Sequence, residues 1–398
     1  MLLSSFLTLL LATFLGILAG IFTGLIPGLH INLIAALAMS LSLKNPLLIA
    51  CFLAAMAITH TFLDFIPSIF LGAPNDDTAL GMLPGHRLLL KGYGFYAVKL
   101  TLIGSFYGFF LALALLPLMF LLIPLAWPSI KISVPFVLLA FSTLLILKER
   151  QIFLALLVFL LSGSLGILTF NLKVISQPLL PLFSGLFGLP LLFLSIKNKV
   201  KLRAQHTREI PLKFREKVRP LAAGLIASSF VSFYPAVGPG QAAIIGSDLL
   251  GRLNTKEFLI LVGSINTIVM LFSFVTATLI SKPRSGVGVA IQQILKEISL
   301  NDLVLLIAVS LIVCCLCVPL CLALTKLFSK YITKINYSLL CFFVISFVLA
   351  MNIAISGLFS LFVLATAFAI GLIPNIKEIR RIHLMGCLVL PVLGYYLL

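Results

Sequence analysis

His60 and Asp64 stand four residues apart in the apolar run ITHTFLDFIPSIF, so a helix would carry both on one face. A carboxylate inside an apolar segment is costly and marks a functional site by default. The pair could hold a proton or a coupling cation, or it could brace a helix bundle as an internal hydrogen bond. A second acidic group follows at Pro74-Asn75-Asp76-Asp77-Thr78. An Asx or Thr after Pro would cap a helix over 78–90, which accounts for one of the adjacent carboxylates. Asn75, Asp76, Asp77 and Thr78 together also make a set of hard oxygen donors suited to Na⁺, by analogy with Ca²⁺ and Mg²⁺. The chain has no HExxH, no glycine-rich phosphate loop and no Ser–His–acid set, so neither a metal site nor catalysis is expected. Its seven Cys lie in apolar stretches and read as small packing residues.

Two further groups sit where apolar runs break. Gly24, Pro27 and Gly28 interrupt 5–43, with His30 and Asn32 directly after. Ser229, Ser232, Gly238, Pro239, Gly240 and Gln241 lie in or beside the break in 220–251. Pro removes a helix donor and Gly loosens the backbone, so each stretch predicts two half-helices joined by a turn, a re-entrant hairpin. The free N–H groups that open the second half-helix attract an anion. Gly16 and Gly20, in step with Gly24 and Gly28, read as a ridge for close helix packing.

The elements that must position these groups follow from composition. The chain has 398 residues, 61% hydrophobic and only 10% charged. Soluble domains carry about a quarter charged residues, so the deficit excludes an ordinary soluble enzyme and predicts an integral membrane protein. The net charge of +17 does not point to nucleic acid, because the basic residues sit in short loops between apolar runs. A span needs about 20 apolar residues. Ten spans are expected, at 47–72, 97–126, 132–147, 152–170, 176–196, 256–280, 301–327, 336–353, 355–374 and 382–398. The basic stretch 197–219 is expected to be a cytoplasmic linker. Counting outward from it puts the cations of 74–91, 148–150, 326–334 and 377–381 inside as well. The 282–300 loop, with Lys282, Arg284 and Lys296, falls outside and is the exception.

The halves 1–196 and 220–398 then each hold one hairpin plus five spans. An odd number of spans inverts the second copy. Pro27-Gly28 aligns with Pro239-Gly240 and Pro74 with Pro283, at offsets of 212 and 209. The expected fold is an all-α polytopic membrane protein of about ten transmembrane helices plus two re-entrant hairpins, in two inverted-topology repeats. Inverted repeats with broken helices are the organisation of secondary transporters.

The segments TGLIPGLHIN, THTFLDFIPSIFLGAPNDDTALGMLPGHRLLLKGYG and PLFSGLFGLPLLF resemble the TctA family, the large membrane subunit of tripartite tricarboxylate transporters, and its archaeal single-component branch above all. The resemblance covers nearly the whole chain. It implies a multi-pass permease of the cell membrane that imports carboxylates on an ion gradient. In bacterial members a small membrane subunit and an extracytoplasmic binding protein assist. The family's glycine- and proline-rich hairpins map onto Gly24, Pro27 and Gly28, and onto Pro235, Gly238, Pro239 and Gly240. The reading that joins residues and resemblance is an ion-gradient-driven permease of an organic anion, a di- or tricarboxylate. Backbone N–H groups of both tips, His30, Asn32, Ser229 and Gln241 would receive the anion. Asp64, Asp76 or Asp77 would bind Na⁺ or H⁺, the sole cofactor expected. A homodimer is a further expectation. Two alternatives stay open, a translocase of a phosphorylated lipid such as polyprenyl phosphate, and an intramembrane lipid-modifying enzyme using His60 and Asp64.

Overall fold

Asn45 and Asn254 start the two helices around which the chain is packed. The computed structural model describes residues 2–26, 31, 34–35, 38, 45–72, 78–197, 203–207, 211–232, 239–249, 251, 253–334 and 336–397. In chain order the helices are α1 (Leu2–Leu25), α2 (Pro46–Leu63), α3 (Phe65–Phe70), α4 (Ala79–Leu90), α5 (Gly94–Leu147) and α6 (Ile152–Asn171). Next come α7 (Leu179–Phe183), a π turn (Ser184–Gly188), α8 (Leu189–Lys197), α9 (Phe214–Val231), α10 (Pro239–Leu249) and α11 (Thr255–Ile280). The chain ends with α12 (Gly286–Leu295), α13 (Leu300–Tyr331), α14 (Tyr337–Met351), α15 (Ser360–Lys377), a 3₁₀ turn (Arg381–Met385) and α16 (Gly386–Leu397). Among the described residues there is no strand, and nine helical stretches are long and apolar enough to cross a membrane. This is an all-α multi-pass membrane protein.

Local chemistry sets the boundaries. Asn45 accepts from Leu47 N–H with Pro46 at the first helical position, a start signal for α2. Asn254 accepts from Lys256 and Glu257 N–H, and Glu257 returns a bond to Asn254 N–H, a capping box that opens α11. α1 runs to Leu25, just short of Pro27, and α9 stops at Val231, short of the Gly238-Pro239-Gly240 break. The residues between, 27–30 and 233–238, lie outside the described residues. α1 differs from the expected half-helix in one respect, since its 24 residues suffice to span.

Two spans depart from expectation. The expected pair at 97–126 and 132–147 is one continuous helix, α5, of 54 residues and about 81 Å. The residues between, Trp127-Pro128-Ser129-Ile130-Lys131, include no glycine and no positive φ, so nothing there stops the helix. Pro117, Pro124, Pro128 and Pro135 lie inside it, each without an N–H to donate to the helix ladder. At the C-terminus, the expected span 382–398 is the 3₁₀ turn followed by the twelve-residue α16.

Packing relies on backbone approach. A Cβ at Gly16 would lie 2.4 Å from Phe52 O, one at Gly20 2.4 Å from Thr59 Cβ and one at Gly24 2.8 Å from Leu63 Cβ. The glycine ridge of α1 thus seats directly on α2. α5 and α11 meet the same way, with the Cβ position of Gly104 at 2.0 Å from Ile260 O and that of Gly263 at 2.1 Å from Thr101 O.

The halves exchange partners. α2 packs on α12 and α13 of the second half, while α11 packs on α4 and α5 of the first. α6 packs on α16, and α15 returns the contact to α7, the π turn and α8. The largest buried apolar cluster joins α1–α5 with α9–α13, and two smaller ones draw mainly on α6–α8 and α14–α16.

Candidate functional site

α2 and α11 are the most deeply enclosed spans, with 78% and 94% of their central windows buried. An ordinary helix in that position would be apolar all round. These two instead face each other with Thr59, His60, Thr61 and Asp64 on one side and Ser264, Asn266 and Thr267 on the other, all buried. The Asp64 carboxylate oxygen Oδ2 accepts from Asn266 Nδ2 at 2.9 Å. His60 Nε2 lies 3.9 Å from the same oxygen. Across the ring, His60 Nδ1 is 3.2 Å from Thr23 Oγ1 of α1. Thr267 Oγ1 donates to Thr61 Oγ1 at 3.3 Å, and Cys317 and Cys321 of α13 bring their thiols to Thr59 Oγ1 and Phe62 O.

The proton inventory of this cluster is constrained. Thr23 donates its one hydroxyl proton to Gly20 O. His60 Nδ1 is then the donor to Thr23, and a neutral ring turns the lone pair of Nε2 toward Asp64. One added proton, on the ring or on the carboxylate, makes the pair attractive. A cation that binds carboxylate and hydroxyl oxygens would serve the same purpose.

α1 and α9 rest on α2 and α11 close to this cluster. Gly24 of α1 rests on Leu63, next to Asp64. The Cβ position of Gly224 in α9 lies 2.1 Å from Ser264 Oγ, two residues before Asn266. At the end of α9, Ser229 Oγ donates to Leu225 O at 2.8 Å and Ser232 Oγ to Ser228 O at 2.7 Å, so both hydroxyls turn back onto their own helix.

Arg284 closes this end. Its Nε donates to Ser232 O at the C-terminal end of α9, where a cation complements the helix dipole, and its guanidinium lies over the Trp127 ring at 5.8 Å. Arg284 and Ser285 N–H both donate to Ser273 Oγ, at 2.9 and 2.8 Å, and Ser285 Oγ caps α12 through Gly288 N–H. Burial pulls the Arg284 guanidinium down to about 10, which leaves it charged at neutral pH. These contacts remove Arg284 from the exception to the charge rule, because it is an internal tie rather than a solvated anchor, while Lys282 and Lys296 stay exposed.

The predicted site residues divide accordingly. His60 and Asp64 come together. Gly24 is a packing contact, Pro239 and Gly240 open α10, and Thr78 is buried at the start of α4, where its hydroxyl does not cap the helix. Pro27, Gly28, His30, Asn32, Asn75, Asp76, Asp77, Pro235 and Gly238 lie outside the described residues, and Gln241 is described by its backbone alone. Sequence reasoning passed over Asn266, Thr23, Ser273 and Arg284. Asn266 carried a signal, an amide in the middle of an apolar span, which is the rule that singled out Asp64.

A family model described as Tripartite tricarboxylate transporter TctA family matches residues 10–386. An uncharacterized protein of Methanocaldococcus jannaschii is 32% identical over 356 residues, covering 87% of this chain and 88% of that one. No solved structure matches significantly.

Proposed function

Because this chain belongs to the tripartite tricarboxylate transporter TctA family, a permease family, we propose that it moves a di- or tricarboxylate across the membrane on an ion gradient. The observation that carries the coupling is the bond from Asn266 to Asp64. It joins the central helices of the two halves through a carboxylate that can hold one proton or one Na⁺, with His60 and Thr23 beside it. Loading that charge changes the attraction between the halves, which is the differential interaction a conformational change requires. The anion is assigned to the two hairpin tips, from the free N–H groups expected at the start of each second half-helix. The family association with a small membrane subunit and an extracytoplasmic binding protein makes both candidate partners.

We assign the halves as inverted repeats. Asn45 and Asn254, the caps of α2 and α11, lie 209 residues apart. So do Gly72 and Ser281, both with positive φ, and so do Pro74 and Pro283. Asp64 and Ser273 fall in the same register. The exchange of partners between the halves is what two such copies would produce.

The test is uptake of radiolabelled citrate into proteoliposomes, with Na⁺ and H⁺ gradients imposed separately. Gradient-dependent accumulation is expected under one of them. Absence of uptake under both, with the binding protein and small subunit supplied, overturns the proposal.

A further inference from the structure

A cavity of about 860 Å³ lies between α4, α8, α10, the start of α11 at Phe258 and the α15–3₁₀ junction, with none of His60, Asp64 or Asn266 in its lining. Small-molecule sites commonly have this size. Arg87, Arg380 and Arg381 line it with His86, and Glu378 is the one acid among the described lining residues. Arg381 is only 7% exposed. Its Nε and Nη2 both donate to Asn375 Oδ1, while its Nη1 has no hydrogen-bond partner. A buried guanidinium nitrogen without an acceptor is costly. The cost is compounded because burial and the neighbouring Arg87 charge both pull Arg381 down, to about 10, and Arg381 in turn opposes protonation of His86. Arg380 is neutralised in part by Glu149 at 3.7 Å, and among the described residues no acid is paired with Arg381 or Arg87.

We propose that this cavity binds an anion through its carboxylate or phosphate oxygens, with Arg381 and Arg87 as the recognising groups. An oxyanion in the cavity offsets the like-charge repulsion of Arg381 and Arg87, a small turn of the Arg381 side chain would let it accept from the enclosed Nη1, and the planar guanidinium fork suits such oxygens. The loops that hold these arginines are the ones the charge rule places on the cytoplasmic side. An imported anion would meet them on leaving. Only that identification of the ligand as the transported carboxylate rests on the transport reading; the site itself does not.

The experiment measures binding of three probes to the purified full chain by calorimetry: citrate, inorganic phosphate and a short-chain phosphatidic acid. At least one is expected to bind, and R87Q and R381Q each to weaken it by about tenfold or more, the loss of one hydrogen bond to a charged group. Citrate preference identifies a carboxylate vestibule, and phosphatidic acid preference identifies a lipid headgroup site. Arg381 also braces Asn375, so R87Q, which alters a solvent-exposed wall residue, carries the test if R381Q does not fold. Unchanged affinity in R87Q at a wild-type melting temperature overturns the proposal, as does the absence of binding by all three probes. Intact, R87Q-sensitive binding without gradient-driven uptake refutes the transport reading and leaves the site standing.

Discussion

Substituting Asp64 by Asn keeps the shape of the side chain and an oxygen to accept from Asn266 Nδ2, now 2.9 Å away, but removes the group that titrates. The structure places one carboxylate beside one imidazole at this seam, so one ion per cycle is expected. A pH difference of two units, with the membrane potential clamped at zero, is worth about 2.7 kcal/mol per proton. That sustains an accumulation ratio of about one hundred for a substrate moved with one proton. The same arithmetic applies to a hundredfold Na⁺ difference. The wild type should therefore concentrate citrate about a hundredfold under whichever gradient it uses. D64N should reach a ratio near one while still exchanging labelled for unlabelled citrate across the membrane. Steady-state internal and external counts in proteoliposomes give both quantities. A D64N protein that concentrates citrate a hundredfold would refute the assignment of the coupling ion to this carboxylate.

Other perturbations bear on the parts that hold the site. S273A strands the Arg284 and Ser285 N–H groups and should destabilise the protein by about 1–3 kcal/mol in detergent unfolding; a change under about 0.5 kcal/mol would mean that water replaces the hydroxyl. G263A puts a Cβ 2.1 Å from Thr101 O, where ordinary contact begins at 3.4 Å, so α5 and α11 must separate. An overpacking cost of about 1–3 kcal/mol is expected, read as a lowered melting temperature, and an unchanged one would contradict the close approach. Glu149 gives a pH signature. Burial raises its carboxyl, but the His383 bond, the Arg150 and Arg380 N–H groups and the Arg380 charge outweigh that and hold it below the usual carboxylate range. Its contribution is thus present above the unfolded pKa and lost as pH falls through the lower folded one. Melting temperature should drop on that acid limb in the wild type, and E149Q should melt lower at neutral pH with the limb flattened.

Composition alone made the chain polytopic; α1 ends two residues before Pro27, and Pro239-Gly240 opens α10. The His60–Asp64 pair was also visible, because helical spacing is a local property. Asn266 was not paired with Asp64 in advance, since 202 residues separate them and only packing brings them together. Arg284 looked like a loop cation by its neighbours in sequence, whereas its partners are Ser232 and Trp127. The equivalence of Gly72 and Ser281 lies in a shared backbone conformation, φ of 64° and 52°, which residue identity conceals. The unbroken α5 exposes a limit of breaker rules. Four prolines interrupt hydrogen bonds without ending the helix when no glycine or polar turn follows.

The exchange of partners between the halves also sets a timetable for synthesis. α2 packs against α13, whose first residue follows its own by 254 positions. At ribosomal rates of about 5–20 residues per second, that partner emerges roughly ten to fifty seconds later. During this interval the helix carrying His60 and Asp64 is in the membrane without its final cover. The first half must therefore wait, protected by α1 through its glycine ridge, until the second is inserted. Assembly is decided at the end of translation, and truncations anywhere before α13 should leave the nascent chain a target for quality control rather than a smaller working permease.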